Sequence, residues 1–193
     1  MKIGIMGGTF DPVHLGHTEM AAFCKNEFGL DKIMFLPLGD APHKKDVTDK
    51  NIRLKMLYAA TKNNPDFFVS TVETDRKGKT YSFDTLTYLK ENTDGEYFFI
   101  IGEDTAEVLM SWHRAEEVFQ MVEFIVVGRT GFNNARGVKD AQNHGAKLHF
   151  ANHTGLDISS SEIREKVKSG QSAEKFVDKG VWEIIKTYGL YKN

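Results

Sequence analysis

The sequence predicts an α/β protein built on a single doubly wound, mostly parallel sheet. Three observations carry that expectation. Short apolar runs recur along the chain, with helix-period stretches between them. Those runs are unbroken rather than alternating, as strands covered on both faces must be. The 193 residues are enough for one domain with a proper core. No internal repeat or low-complexity linker divides the chain, so one domain over 1–193 is expected.

The elements follow in order. Ile3-Gly4-Ile5-Met6 reads as a first strand, and Met20, Ala21, Cys24 and Phe28 fall at helical spacing over 18–28. Residues 32–37 form a second, doubly buried strand, and 38–49, with glycine, prolines and charge, form a loop. Leu54, Leu57, Tyr58 and Thr61 mark a helix over 52–62, and 67–72 is a third strand. Residues 78–81 are a loop, after which Ser82 is placed to cap a helix running to about Asn92. Residues 97–101 and 123–127 are the fourth and fifth strands, separated by a polar helical segment that holds Trp112. Between 128 and 145 the pattern dissolves, with weak helical character near Val138, and 147–150 is a short sixth strand. Ser159-Ser160-Ser161-Glu162 is a capping box opening a helix to about Ser169. A last helix over 181–187 stops at Gly189, a residue suited to a left-handed turn.

Composition narrows the function classes. Charged residues make up 27% of the chain yet the net charge is only −2, so any polyanion site must be local. No basic stretch is longer than Lys44-Lys45, which argues against nucleic acid as a partner. The lone Cys24 leaves no intramolecular disulfide and no all-cysteine metal cage; it reads as a small apolar residue on the first helix. No apolar run approaches a membrane span and no signal-like segment precedes the first strand, so a cytoplasmic protein with no membrane partner is expected.

The chemistry gathers in Gly7-Gly8-Thr9-Phe10-Asp11-Pro12-Val13-His14-Leu15-Gly16-His17, a strand-to-helix turn. In an α/β sheet, ligands bind at this end of the strands, where the next helix presents free N–H groups. Gly7-Gly8 lets the backbone approach a ligand closely. His14 and His17, three residues apart, share one helix face if the helix starts near His14, and Gly16 leaves that face open. The turn therefore has the makings of a phosphate site with two imidazoles in it. Only this pair is visible, with no cysteine or paired carboxylate to complete a metal set, so no protein-only metal site is expected. The stretch is neither G-x-G-x-x-G nor G-x-x-x-x-G-K-[ST], which argues against dehydrogenases and P-loop enzymes.

The same eleven residues resemble the nucleotidyltransferase signature that ends in H-x-G-H, and in detail that of the bacterial nicotinate mononucleotide adenylyltransferases. The resemblance continues in order along nearly the whole chain: Pro42-His43-Lys44, Tyr81-Ser82 with Thr85-Leu86, Ile101-Gly102-Glu103-Asp104, Trp112, Arg129, Ile158-Ser159-Ser160-Ser161-Glu162-Ile163-Arg164, and a closing Gly189-Leu190-Tyr191. It implies a Rossmann-like nucleotidyltransferase fold whose C-terminal helices, from about 158, close the phosphate site. It also implies the reaction: ATP and nicotinate mononucleotide give nicotinate adenine dinucleotide and pyrophosphate, in NAD synthesis. Such a reaction suits these residue types. A nucleotide monophosphate is mostly dianionic at neutral pH, so it needs neither a protein base nor a covalent nucleophile, only positioning and charge stabilisation.

By the same resemblance His14 and His17 contact the α- and β-phosphates, with His17 stabilising the developing charge, and Arg164 completes the catalytic set. Gly8, Thr9 and Phe10 hold phosphate at the strand end, and Ser159 and Ser160 belong to a second phosphate clamp. Lys44 reaches the phosphates from its loop, while Gly102 and Asp104 take the ribose. Tyr81, Ser82, Trp112 and Arg129 surround the pyridine nucleotide. Plainer readings stand beside several of these: a helix cap for Asp104, core filling for Trp112, an ordinary surface cation for Lys44 and Arg129. Mg²⁺ is expected to be carried in with ATP, on phosphates and water. Two departures replace threonine by serine, at Ser82 and Ser161; each keeps the hydroxyl.

The alternatives are a nicotinamide mononucleotide or pantetheine phosphate adenylyltransferase, a tRNA-synthetase-like fragment, and a non-catalytic nucleotide sensor. The sensor reading predicts a lost histidine or arginine, and His14, His17 and Arg164 are all present. The sequence leaves a homo-oligomer open.

Overall fold

The computed structural model describes residues 1–39, 47–128, 135–153, 155–156 and 158–192. Six parallel strands form its sheet: β1 (Lys2–Gly8), β2 (Lys32–Pro37), β3 (Phe67–Val69), β4 (Glu96–Gly102), β5 (Glu123–Gly128) and β6 (Leu148–Asn152). Their order across the sheet is β3-β2-β1-β4-β5-β6. All five pairings are parallel, so the expected mostly parallel sheet is wholly so among the described residues.

Helices cover both faces: α1 (Leu15–Glu27), α2 (Lys50–Thr61), α3 (Ser82–Asn92), α4 (Glu103–Glu107), α5 (Ala115–Met121), α6 (Arg136–Asn143), α7 (Ser160–Lys168) and α8 (Lys179–Thr187). Strand alternation feeds two cores. Ile5, Leu36, Phe99, Ile101 and Phe124 pack with Leu86 and Leu89 of α3, Val118 and Phe119 of α5, and Val138 and Ala141 of α6. Met6, Phe35, Ile100 and Ile125 point the other way, against Ala21 and Cys24 of α1, Met56 and Leu57 of α2, Ile163 of α7, and Val181 and Ile185 of α8. The first half of the chain therefore winds over one face and the middle over the other, with α7 and α8 returning to the first. β1 and β4 are neighbours whose onward connections leave toward opposite faces. Such a switch point opens a crevice beyond the carboxyl ends of the strands.

Several local expectations change. α2 buries Arg53, Met56, Leu57 and Thr61 while Tyr58 is exposed, so its inward face is rotated from the one that Leu54, Leu57 and Tyr58 outline. Ser82 is the first residue of α3 rather than its cap; Tyr81 holds the cap position and makes no side-chain capping bond. The segment around Trp112 is not one helix. α4 is followed by a 3₁₀ turn at Leu109–Ser111, and Trp112 sits extended (φ −67°, ψ 146°) before α5 begins. The third strand ends at Val69, shorter than the apolar run suggests. The capping box is formed as expected: Ser159 caps α7, with Glu162 accepting from the Ser159 backbone N–H at 2.7 Å. Gly189 adopts the left-handed conformation (φ +60°) that lets the chain turn back after α8.

Candidate active site

α1 begins directly after the turn that leaves β1, and this fixes the two histidines. His14 is the N-cap and His17 the third helical residue. Their rings lie against each other, centroids 3.7 Å apart and planes at 35°. The His14 backbone N–H donates to His17 Nδ1 at 3.2 Å. In the neutral His17 ring the proton therefore sits on Nε2, which makes that nitrogen a donor. Gly16 is needed here for close approach: a Cβ would fall 3.1 Å from His14 Nδ1 and 3.2 Å from its Cε1. The His14 ring occupies the space a side chain would take.

Both imidazoles are held neutral. Burial lowers the His14 pKa to about 4, partly offset by the Glu162 charge. Burial lowers that of His17 to about 3, and the neighbouring His14 adds to the effect. His14 Nδ1 is buried with no hydrogen-bond partner among the described residues. An anion brought to this pair would favour the charged forms and raise both values.

The crevice between β1 and β4 is a cleft of about 400 Å³. It is lined by Gly7, Gly8 and Thr9 at the end of β1, His17 and Met20 of α1, Leu36, Leu38, Glu73, Thr80 and Ser82, and Phe99 to Gly102, Thr105 and Trp112. The structure thus brings Gly8, Thr9, His17, Gly102, Ser82 and Trp112 to one cavity. The Trp112 ring packs edge-on against Phe99 (5.5 Å) and Phe124 (6.0 Å) and also lines the cleft.

Other expected site residues stand elsewhere. The Phe10 ring is buried, edge-on to His17 at 5.1 Å, and supports that imidazole rather than lining the cleft. Tyr81 is exposed, its ring tilted at 34° against that of His113 with centroids 4.4 Å apart. Asp104 is exposed in the first turn of α4, whose cap position is Gly102. Ser159 caps α7 and the Ser160 hydroxyl donates to the Pro12 carbonyl at 2.9 Å. Arg164 donates to the Asp11 carbonyl (2.8 Å) and the Ser161 hydroxyl oxygen (3.1 Å). Ser160 and Arg164 thus grip the backbone of the turn. Lys44 and Arg129 lie outside the described residues.

Four residues to which the motifs assign no role, Arg53, Asp11, Tyr191 and Glu73, brace this turn and the cleft wall. Arg53 is 1% exposed and spans three stretches of chain. Its guanidinium donates to the carbonyls of Thr9 (2.7 Å), Leu38 (2.9 Å), Gly39 (3.1 Å) and Thr48 (3.0 Å). Asp11, also buried, accepts the Thr48 N–H at 3.0 Å and the Tyr191 hydroxyl at 2.6 Å. Burial and the Asp11 charge together push the Tyr191 phenol well above its usual range. Glu73 is a buried carboxylate on the cleft wall, accepting from Thr85 at 2.9 Å and Thr80 at 3.3 Å. Desolvation raises its pKa, and the two hydroxyls and Arg76 oppose that rise.

Fold and site together define a nucleotidyltransferase class. A model of the cytidylyltransferase-like family matches residues 5–166, and the chain belongs to that family. The chain is 38% identical over 195 residues to the nicotinate-nucleotide adenylyltransferase of Bacillus subtilis strain 168, covering 100% of this chain and 99% of that one. It is also 38% identical over 200 residues to a probable nicotinate-nucleotide adenylyltransferase of Thermoanaerobacter sp. strain X514, covering 100% and 95%. Within the family the chain belongs with these nicotinate-nucleotide adenylyltransferases. Its fold is that of the Plasmodium falciparum nicotinic acid mononucleotide adenylyltransferase solved with NaAD, at a TM-score of 0.79, 22% identity, and 98% and 97% coverage of the two chains.

Proposed function

We infer that the chain transfers the adenylyl group of ATP to nicotinate mononucleotide, giving nicotinate adenine dinucleotide and pyrophosphate, a step in NAD synthesis. The observation that carries this reading is the imidazole pair at the start of α1, of which His17 opens into one cleft with Ser82 and Trp112 while His14 packs behind it. The kinship with adenylyltransferases over the full chain supports it. We read residues 1–193 as one nucleotidyltransferase domain, with the helices from 158 onward closing its phosphate side.

The chemistry follows from what the site holds. An oxygen of the acceptor's phosphate, already dianionic, attacks the α-phosphorus of ATP. As that bond forms, the bond to the α–β bridging oxygen breaks and pyrophosphate leaves with the electron pair. Negative charge gathers on the α-phosphoryl oxygens and the bridging oxygen. His17 Nε2–H, fixed by the bond at its other nitrogen, is the donor for that charge. His14 supplies a second imidazole, packed against the first. Thr9 and Gly8 bring backbone to the phosphates, and the Arg53, Ser160 and Arg164 bonds hold that backbone still. The same cleft offers Trp112 as a flat surface for the pyridine ring and Ser82 as a polar contact.

The donors around the turn are imidazoles, hydroxyls and backbone N–H groups, which suit phosphate oxygens rather than a hard cation. Among the described residues no cluster of three or more His, Cys, Asp or Glu is placed to hold an ion. Mg²⁺ would arrive on the phosphates of ATP and supply further charge neutralisation there. Among the described residues no helix is long and apolar enough to cross a membrane. Both substrates are water-soluble, and we assign the reaction to the cytoplasm.

A pyrophosphate-release assay with ATP and each pyridine mononucleotide in turn tests this reading. Release with the nicotinate acceptor, well above that with the nicotinamide acceptor, is the expected result. Release with neither overturns it.

A further inference from the structure

Glu73 is an unusual wall for a cleft that receives phosphates. It follows β3 with no motif around it, is 6% exposed, and presents its carboxylate beside Thr80 and Ser82. An uncommitted negative charge there would repel both substrates. Its two oxygens are instead committed. One accepts from the Thr85 hydroxyl at 2.9 Å, the other from the Thr80 hydroxyl at 3.3 Å. Thr85 is wholly buried on α3, and its hydroxyl oxygen in turn accepts from Arg76 at 3.4 Å. The carboxylate therefore joins three pieces: the segment after β3, the residue before the cap of α3, and the second turn of that helix. Between the two threonines lie Tyr81 and Ser82, where α3 starts without a side-chain cap. Whatever holds Thr80 and Thr85 fixes the backbone that Ser82 presents to the cleft.

We propose that Glu73 is a positioning residue that sets the preference for an acidic over an amide pyridine acceptor, by holding the 80–82 wall through Thr80 and Thr85. This rests on the adenylyltransferase reading above and deepens it. A carboxylate and a carboxamide on the same ring differ by a unit negative charge and by one acceptor against one donor. Reading the second difference takes polar groups fixed within a few tenths of an ångström. The wall at Thr80 and Ser82 carries such groups, and Glu73 is what fixes them. Removing the anchor loosens the wall and leaves the phosphate turn, held separately by Arg53, Asp11 and Arg164, as it was.

The test compares Glu73→Ala, Glu73→Gln and Thr85→Val with the unaltered chain, measuring KM for ATP, kcat and KM for both mononucleotides, and the melting temperature. Glu73→Ala and Thr85→Val should each raise KM for the nicotinate acceptor by about fivefold or more and lower the acid-to-amide ratio of kcat/KM by a similar factor. KM for ATP should stay within about twofold. Glu73→Gln keeps the shape and can still bond both hydroxyls, so it should recover most of the ratio. Should Glu73→Ala fail to fold, Thr85→Val and Glu73→Gln carry the test. An unmoved ratio in folded variants, or KM for ATP rising in step with KM for the acceptor, overturns the proposal. A ratio that rises on Glu73→Gln also overturns it, because the charge would then be acting directly on the acceptor. An unaltered chain that releases pyrophosphate with neither acceptor overturns the adenylyltransferase reading itself, whereas normal activity with unmoved variants sinks the Glu73 proposal alone.

Discussion

Replacing Gly16 by alanine should separate stability from turnover. Gly16 is the second residue of α1, between the two histidines, with ordinary helical backbone. Alanine is the better helix former by up to about 1 kcal/mol, less within the first turn, so propensity alone favours the substitution. Against it stands the contact. The new methyl carbon would sit 3.1 Å from His14 Nδ1, 3.2 Å from its Cε1 and 3.5 Å from the Leu156 carbonyl oxygen, so the His14 ring must yield by a few tenths of an ångström. That ring is already packed on His17 at 3.7 Å between centroids, and the displacement passes to the imidazole on the cleft wall. The two effects nearly cancel in the fold, leaving stability within about 1 kcal/mol of the parent. They do not cancel in the reaction. A misplacement of about 1 Å can reduce a rate about a hundredfold, and a few tenths should lower kcat about three- to tenfold. Thermal melts and a continuous pyrophosphate assay on the same preparation decide the matter. A kcat within twofold of the parent at unchanged melting temperature would refute the claim that the close fit of Gly16 to His14 sets the imidazole geometry.

Three further outcomes follow from the same geometry. His17→Ala should lower kcat by about two orders of magnitude with the far-UV circular dichroism unchanged, because it removes the fixed Nε2 donor; near-normal turnover would refute that role. Tyr191→Phe keeps the ring but leaves Asp11 one donor short, which should destabilise the fold by about 1–3 kcal/mol in urea titration; an unchanged midpoint would show that bond to be idle. Acid should weaken the fold through His14. Its folded pKa lies near 4, below the unfolded value of 6.5, so the unfolded chain takes up a proton that the folded chain refuses. The stability present above pH 6.5 is then lost as pH falls toward 4, at no more than about 1.4 kcal/mol per pH unit for this one group. His14→Gln should flatten that slope between pH 6.5 and 4.5, and equal slopes in the two proteins would contradict the burial argument.

The strands and the histidine turn were legible because their signals are local. Five of the six strands coincide with unbroken apolar runs, and a phosphate-type turn between strand and helix needs only neighbouring residues to announce itself. The segment holding Trp112 reads as a helix because a 3₁₀ turn and an extended residue carry the same polar composition as one. The inward face of α2 was misjudged for a different reason. Arg53 points into the protein, where periodicity expects an apolar residue, and four backbone carbonyls repay its desolvation. The bonds of Glu73 and Asp11 are not legible locally, since their partners are separated in sequence, by 12 residues for Thr85 and by 180 for Tyr191. Ser159 was read correctly as a cap, yet nothing local says that the next serine reaches the Pro12 carbonyl.

The bond between Tyr191 and Asp11 gives the molecule a direction in time. The turn that carries His14 and His17 leaves the ribosome well before one of its anchors, Tyr191, which emerges 180 residues after Asp11. At usual elongation rates of about 5–20 residues per second, the turn waits on the order of ten to forty seconds for that anchor. During that interval the strands can begin to pair, but the histidine turn lacks its fastening to Tyr191.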